Sequence, residues 1–499
     1  MKLRWKIVIL AGILLILMAV SLTVTMRIQP DREVADYKKL LHDRGEKLEL
    51  SEALPPLAAA DDNSVIPVQE AFKLFDSRPL QIPDAMKMVS PGRAMVGWSQ
   101  PDARGYDFTN SWDDYSAYIA VQTPAIDLLH QVRERPKLDF QLDYAKGASM
   151  LVTHLAPLKV SAQLLDAATL SDLHQGDTGA ALTNILTELA LVQNDVRDDY
   201  LISHLVRLAI TALAIAPTWE MLQATNVTET QLAALQQCWS QLEFLRDAEN
   251  VFVIERIVSD GDIRKSRESH EDFQRIFSGI LSSSSPSTPN RLRLAAGENL
   301  WRSSESYSTQ LKYLKRCQII LETLRAMQTN RSEYYKADFD GMVARLSALR
   351  TTNSMIVDAL GVTDIQNYFG DFGLIRAVER TLRTEDQRRL VVTAIALKRF
   401  QLEHGQWPET LAELSPEFLP SVPIDPYDGK PLKYHSNPDG TFLLYSVGED
   451  GVDDGGDPSP TKTTSSSSLN WNWTKTRDWV WPQPASPAEV QYFYDHPPK

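Results

Sequence analysis

The hydrophobic pattern changes character along the chain, and it is sharpest at the start. Lys2, Arg4 and Lys6 precede an uncharged run from Ile7 to Met26, interrupted by nothing more polar than Ser21, Thr23 and Thr25. Those 20 residues, at about 1.5 Å rise each, match the ~30 Å hydrocarbon core of a bilayer, where a helix satisfies its own backbone. The pattern predicts an N-terminal transmembrane helix, a single-pass anchor over residues 1–27 in the inner (cytoplasmic) membrane. The basic flank places the N-terminus in the cytoplasm and the bulk of the chain in the periplasm. A cleaved signal peptide, with Ala19 and Ser21 as a small-x-small site, is the competing reading, and it exports the same residues.

Residues 28–117 read as a juxtamembrane helix, Asp31 to Leu50, followed by an irregular Pro-, Gly- and Asp-rich stretch. From Tyr118 the apolar positions recur at helical spacing. Leu151, Leu155, Leu158, Ala162, Leu165 and Ala168 mark one helix over Ala148–Ser171, and His174-Gln175-Gly176-Asp177 breaks it. Ala181, Ile185, Leu189 and Val192 mark the next; Asp198-Asp199 opens a third. Thr228 with Gln231 predicts a capping box ahead of Leu232, Leu235 and Trp239. The run Leu208–Trp219 holds 12 uncharged residues and Pro217, too short to span a bilayer, so it predicts a buried core helix. Ser282–Pro289 reads as a surface loop, with helices resuming from Leu292 to Leu349. Residues 118–380 are thus expected to form a helical bundle or an α-solenoid-like body. The turn Gly176–Leu182 looks like a tetratricopeptide repeat, but no 34-residue period recurs.

Composition narrows the function classes. The 499 residues carry 51 basic and 65 acidic side chains, a net charge of −14, which excludes a basic phosphate-binding surface and hence nucleic acid as the expected partner. Two cysteines, Cys238 and Cys317, exclude a disulfide scaffold, a four-Cys zinc site and a cysteine-ligated cluster; a disulfide between them and two buried thiols both stay open.

The last hundred residues differ again. A helix over Glu385–His404 is stopped by Gly405, and Trp407-Pro408 follows. Two strands, Pro431–His435 and Thr441–Val447, flank Asn437-Pro438-Asp439-Gly440, a strong hairpin signal. A Gly-rich acidic loop, Gly448–Asp457, completes the unit. Ala396-Leu397-Lys398-Arg399-Phe400, His404-Gly405-Gln406-Trp407-Pro408-Glu409-Thr410, Asp425-Pro426-Tyr427-Asp428-Gly429-Lys430-Pro431 and Leu444-Tyr445-Ser446-Val447-Gly448-Glu449-Asp450-Gly451 occur in that order. Residues 385–481 thereby resemble the globular domain of the major pseudopilins of type II secretion systems, which implies a small C-terminal α+β module. The resemblance also implies calcium in the acidic loop, with Asp450, Asp453, Asp457 and Asp478 as the metal-ligating residues. Ca²⁺ takes six to eight hard oxygens and tolerates irregular loops, which suits this composition. The family's closing Asn-Trp segment has two alternative counterparts here, Asn470-Trp471 or Arg477-Asp478-Trp479, and the second makes Asp478 a further ligand. The chain departs from the family in having no Glu near the start of its apolar helix, and in placing more than 350 residues between anchor and module. Assembly into a pseudopilus by the ordinary route is therefore not expected.

Signatures of catalysis are missing. No His-Glu-x-x-His, phosphate-binding Gly loop or Gly-x-Ser-x-Gly elbow occurs, and His154, His174 and His204 lie on or between expected helices. The expectation is a mainly α, membrane-anchored scaffold of the envelope or of secretion, with a protein partner in the cell envelope and residues 482–499 as a tail. The alternative is an exported, hydrolase-like enzyme with its active site in the helical body.

Overall fold

The computed structural model describes residues 29–75, 80–105, 108–194, 197–278, 288–349, 355–461 and 475–496, and among these the chain is mainly helical. The expected anchor and Asn470-Trp471 lie outside the described residues, as does most of the Ser-rich loop after Leu281. Helix α1 (Gln29–Asp43) leads to α2 (Val65–Leu74) and to two short antiparallel pairs. These are β1 (Lys87–Ser90) with β2 (Arg93–Met95), and β3 (Ala103–Gly105) with β4 (Phe108–Asn110). Helices α3 (Trp112–His130), α4 (Leu155–His174), α5 (Thr178–Gln193), α6 (Leu201–Leu222) and α7 (Glu229–Ser240) then pack on one another. The long helices α8 (Phe244–Glu268) and α11 (Ser306–Thr329) lie along each other, joined through α9 (His270–Ile276) and α10 (Thr288–Leu300). Helices α12 (Tyr335–Ala348), α13 (Met355–Ala359) and α14 (Val362–Tyr368) precede α15 (Asp371–His404). Strands β5 (Lys433–Ser436), β6 (Phe442–Ser446), β7 (Trp479–Val480) and β8 (Gln483–Pro484), then α16 (Pro487–Asp495), complete the chain.

Local chemistry sets several of these starts. Asp177 accepts the amides of Gly179 and Ala180 at 3.0 and 2.9 Å and opens α5. The expected box opens α7: Gln231 donates its amide to Thr228 Oγ1, and Thr228 donates its own to Gln231 Oε1. Each bond satisfies an amide that the helix cannot reach internally. Gly405 ends α15 at φ 73°, a conformation that costs a Cβ-bearing residue more. Helix α6 is long and apolar enough to cross a membrane, but Leu208, Ile210, Ala214, Ile215 and Trp219 are buried in the core, as the short run predicts.

Two large apolar clusters organise the interior. One joins α2–α7 to the second half of α15 and to the C-terminal strands, from Val68 to Trp481. The other gathers α8, α11, α12 and the first half of α15, from Leu245 to Leu382. Only α15 contributes a long continuous stretch to both. At 34 residues and about 1.5 Å per residue it is roughly 50 Å long.

Several expected boundaries shift. The helix expected over Asp31–Leu50 stops at Asp43, because Gly45 turns the chain at φ 80°. The helix expected over Ala148–Ser171 begins at Leu155, leaving Leu151 79% exposed. Residues Tyr144–Ser149 instead form a tight turn in which Gly147, at φ 55°, abuts Asp262; a Cβ there would sit 1.9 Å from its Oδ1. Within 61–117, expected to be irregular, β1–β4 are too short to show alternation. Helix α15 begins at Asp371, well before Glu385, because Leu374, Val378 and Leu382 fill the second cluster. The expected tail supplies a strand and a helix: β8 pairs in parallel with β2, and Arg93 donates to Glu489 of α16. Cys238 and Cys317 are both free thiols.

A buried ionic cluster fastens α1 to the body. Glu46 accepts from Arg256 (3.1 Å), Arg325 (2.5 Å) and Gln318 (2.9 Å), and Arg256 is wholly buried. Burial pushes the Glu46 carboxyl up, but these donors outweigh it and hold it at about 2. Glu46→Ala leaves Arg256 without its counter-ion and is expected to lower unfolding stability by about 3–5 kcal/mol. Urea titration of the full chain in micelles reads this; a loss below about 1 kcal/mol, the range of an exposed pair, refutes it.

Candidate functional site

The acidic loop leaves β6 at Ser446 and returns toward β7. Asp478 is fully buried at its base and accepts the amides of Gly456 (2.7 Å), Asp457 (3.0 Å) and Asp454 (3.4 Å). The loop is thus wound around one carboxylate. Asp453 accepts from Tyr445 Oη and from the Gly455 amide, both at 3.0 Å. Asp450 and Asp457 each close a local turn by accepting the amides of Val452 and Ser459. Arg477 reaches Asp454 at 3.1 Å and Asp457 at 3.5 Å, so a guanidinium is the nearest counter-ion. Glu449 is held by Arg383 of α15. Among the described residues no three Asp, Glu, His or Cys side chains converge as a metal ion requires. Of the four aspartates expected to ligate, Asp478 organises backbone, and Asp450 and Asp453 face solvent.

A cleft of about 530 Å³ opens between the start of α8, the end of α11 and the middle of α15. Arg246, Arg331, Arg388 and Arg389 line it with Glu243, Glu333 and Glu385. Arg388 chelates Glu385 through Nε (2.9 Å) and Nη2 (2.7 Å). Arg389 donates to Glu385 (2.9 Å), to Ile424 O (2.6 Å) and to Tyr335 Oη (3.1 Å). Burial alone pushes Glu385 up; the two guanidinium groups reverse this and hold it at about 2. A carboxylate so firmly ionised is a poor proton donor at neutral pH. The one sequence signal for this cleft is Glu385-Asp386-Gln387-Arg388-Arg389, a charged run inside an apolar helix.

The histidines stay apart, each with its own partners. His154 pairs with Asp198 at 2.6 Å and stacks on Phe140; His174 stacks on Trp112; His204 meets Thr381 at 3.0 Å. Two carboxyl pairs are sealed in the interior. Asp386 lies beside Asp425, which accepts the amides of Tyr427 and Val447. Asp166 of α4 faces Glu188 of α5, and burial pushes both up, Asp166 to about 7 and Glu188 well above its ordinary value. Two carboxyls buried side by side oppose each other's ionisation, so the pair retains a proton where exposed carboxyls have lost theirs. Neither pair opens to the cleft's lining, so neither can meet a substrate there. Comparison with known proteins yields no relative: no family model, curated protein or solved structure matches the chain.

The Asp166–Glu188 pair generates a pH signature. Carboxyls with raised values stabilise the fold fully below about pH 4 and lose that contribution as pH rises through 7. Moving Asp166 alone from 3.8 to about 7 corresponds to a loss on the order of 4 kcal/mol once it ionises. Glu188→Gln keeps a donor for Asp166 and removes one of the two charges. Its unfolding midpoint is expected to exceed the parent's by more at pH 8 than at pH 5; equal differences at both pH values contradict the shared proton.

Proposed function

We propose that this chain is a non-enzymatic, single-pass inner-membrane protein whose exported helical body serves as a scaffold for a protein partner in the envelope. Its C-terminal strands and acidic loop act as a pseudopilin-like, calcium-binding unit. The observation that carries this reading is the coincidence of motif and contact in that unit. Leu444-Tyr445-Ser446 lies in the central strand of the β5–β6–β7 sheet, and the following Gly/Asp loop is wound on Asp478. Calcium suits the loop chemically: Asp450 and Asp453 are exposed hard-oxygen donors, and Asp457 is offset by a single arginine. Asp478 then acts by fixing the backbone around the ion. The cleft supports binding over chemistry, since each of its carboxylates is matched by an arginine.

The anchored arrangement is supported by α1, which is already helical at Gln29, the first described residue, three positions after the apolar run ends at Met26. Its Val34 and Leu41 are buried against the body. Such a mount leaves little slack between bilayer and scaffold.

Thermal unfolding of the full chain in micelles tests the calcium assignment. One millimolar Ca²⁺ acting on a site of roughly 10 μM affinity adds about 2.7 kcal/mol, a rise of several degrees, and EDTA reverses it. Asp453→Asn is expected to shrink the rise, and Arg477→Ala to enlarge it by removing the competing guanidinium. A midpoint indifferent to both Ca²⁺ and EDTA sinks the assignment. Resistance of the full chain to carbonate extraction, with its exported part open to protease from the periplasmic side, is the outcome expected of the anchor.

A further inference from the structure

The described residues expose a set of large apolar side chains at one end of the body. Met355 and Ile356 of α13 are 87% and 67% exposed, Phe372 at the start of α15 is 64%, and Leu292 of α10 is 70%. Exposed groups of this kind on neighbouring elements mark an interaction surface.

The position of α1 says which end this is. Tyr37 lies against Lys315, Lys38 pairs with Asp260, and Glu46 with Arg325, so α1 runs alongside α11 in the same direction. Its first turn therefore lies level with the start of α11 and the end of α8. There Asp31 acts on Arg267, whose guanidinium covers the Tyr307 ring at 3.7 Å. Arg302 donates to Arg267 O, and Trp301 to Ser266 Oγ. Trp301 in turn stacks on Phe369, and Tyr368 meets Phe277 edge to face. Gly297 of α10 lies so close to Leu360 that a Cβ would be 2.6 Å from its carbonyl oxygen. The exposed apolar residues thus ride on elements bound to the end of the body where α1 starts. The three Cα–Cα steps from Met26 to Gln29 span at most about 11 Å, so this end cannot stand far from the bilayer.

We propose that this end of the body rests on the periplasmic surface of its own membrane, with Leu292, Met355, Ile356 and Phe372 in the interfacial layer. This rests on the reading of residues 1–27 as a retained anchor. Arg376, 4.2 Å from the Phe372 ring centroid, and Arg293, beside Gly361, are placed to keep their charges among lipid head groups while their stems lie along apolar groups. The acidic loop sits at the opposite end, where Gly451 abuts Lys336 just past the end of α11. An anionic leaflet would repel it there least. The body then stands upright, with the pseudopilin-like unit presented away from the lipid.

The test uses the full chain reconstituted in phosphatidylethanolamine–phosphatidylglycerol vesicles. A Cys238→Ala background carries Met355→Cys, Phe372→Cys or, as a distal control, Val452→Cys, each labelled with bimane; Cys317 is wholly buried. All three positions are exposed, so the fold tolerates the label. With lipids brominated near the head group, labels at 355 and 372 are expected to lose roughly half their emission while the label at 452 is unchanged. Carbonate extraction of the same vesicles reads the anchor separately. Retained protein with unquenched labels at 355 and 372 overturns the proposal and spares the anchor; protein released by carbonate overturns both. Labels that self-quench as protein density rises, with no response to bromine, assign the surface to a second copy and also overturn the proposal.

Discussion

Everything in this molecule hangs on burying a charged segment in the middle of one helix. Helix α15 enters from one apolar cluster and leaves through the other, and between them it carries Glu385, Asp386, Arg388 and Arg389. Ionised groups cannot be withdrawn from water without partners. Those partners come from other parts of the chain: Tyr335 at the start of α12, Glu333 just before it, and Ile424 from the loop before β5, while Asp386, beside Asp425, is pushed toward its neutral form. Satisfying α15 therefore brings the start of α12 and the loop before β5 to one place, and the cleft lies beside it.

The same logic explains why the C-terminal unit is not an appendage. Its strands pack on α15, Trp219 of α6 donates to Pro482 O, and Trp479 and Trp481 are buried in the cluster that holds α2–α7. The acidic loop is in turn tied to α15 through the Arg383–Glu449 ion pair.

Much of this was legible in the residues, and what was not has identifiable causes. The α7 capping box, the Gly405 stop, the hairpin at Asn437–Gly440 and the core role of Leu208–Trp219 are local signals that decide local structure, and the chain obeys them. The early start of α15 was hidden because its first turns bury Leu374 and Val378 against helices far away in sequence. Strands β1, β2 and β8 were invisible because each is four residues or fewer, too short for alternation to register. The cleft was missed because paired charges in a helix read as solvated surface until their partners are known. The aspartates of the loop stand out in the sequence as a group, yet the winding of the backbone around Asp478 depends on amides, which side-chain identity does not encode.

The parallel seam between β2 and β8, clasped by Arg93 and Glu489 across 396 residues, also dictates an order of events during synthesis. A chain made from its N-terminus delivers β1 and β2 long before β8, the strand that completes their sheet. Closing a loop of that length costs on the order of 5 kcal/mol of chain entropy before the contact returns anything. The first sheet must therefore wait, edge exposed, until β8 has been made. Removing β8 and α16 would leave that edge open for good, so the seam makes the first sheet conditional on residues up to 396 positions further along.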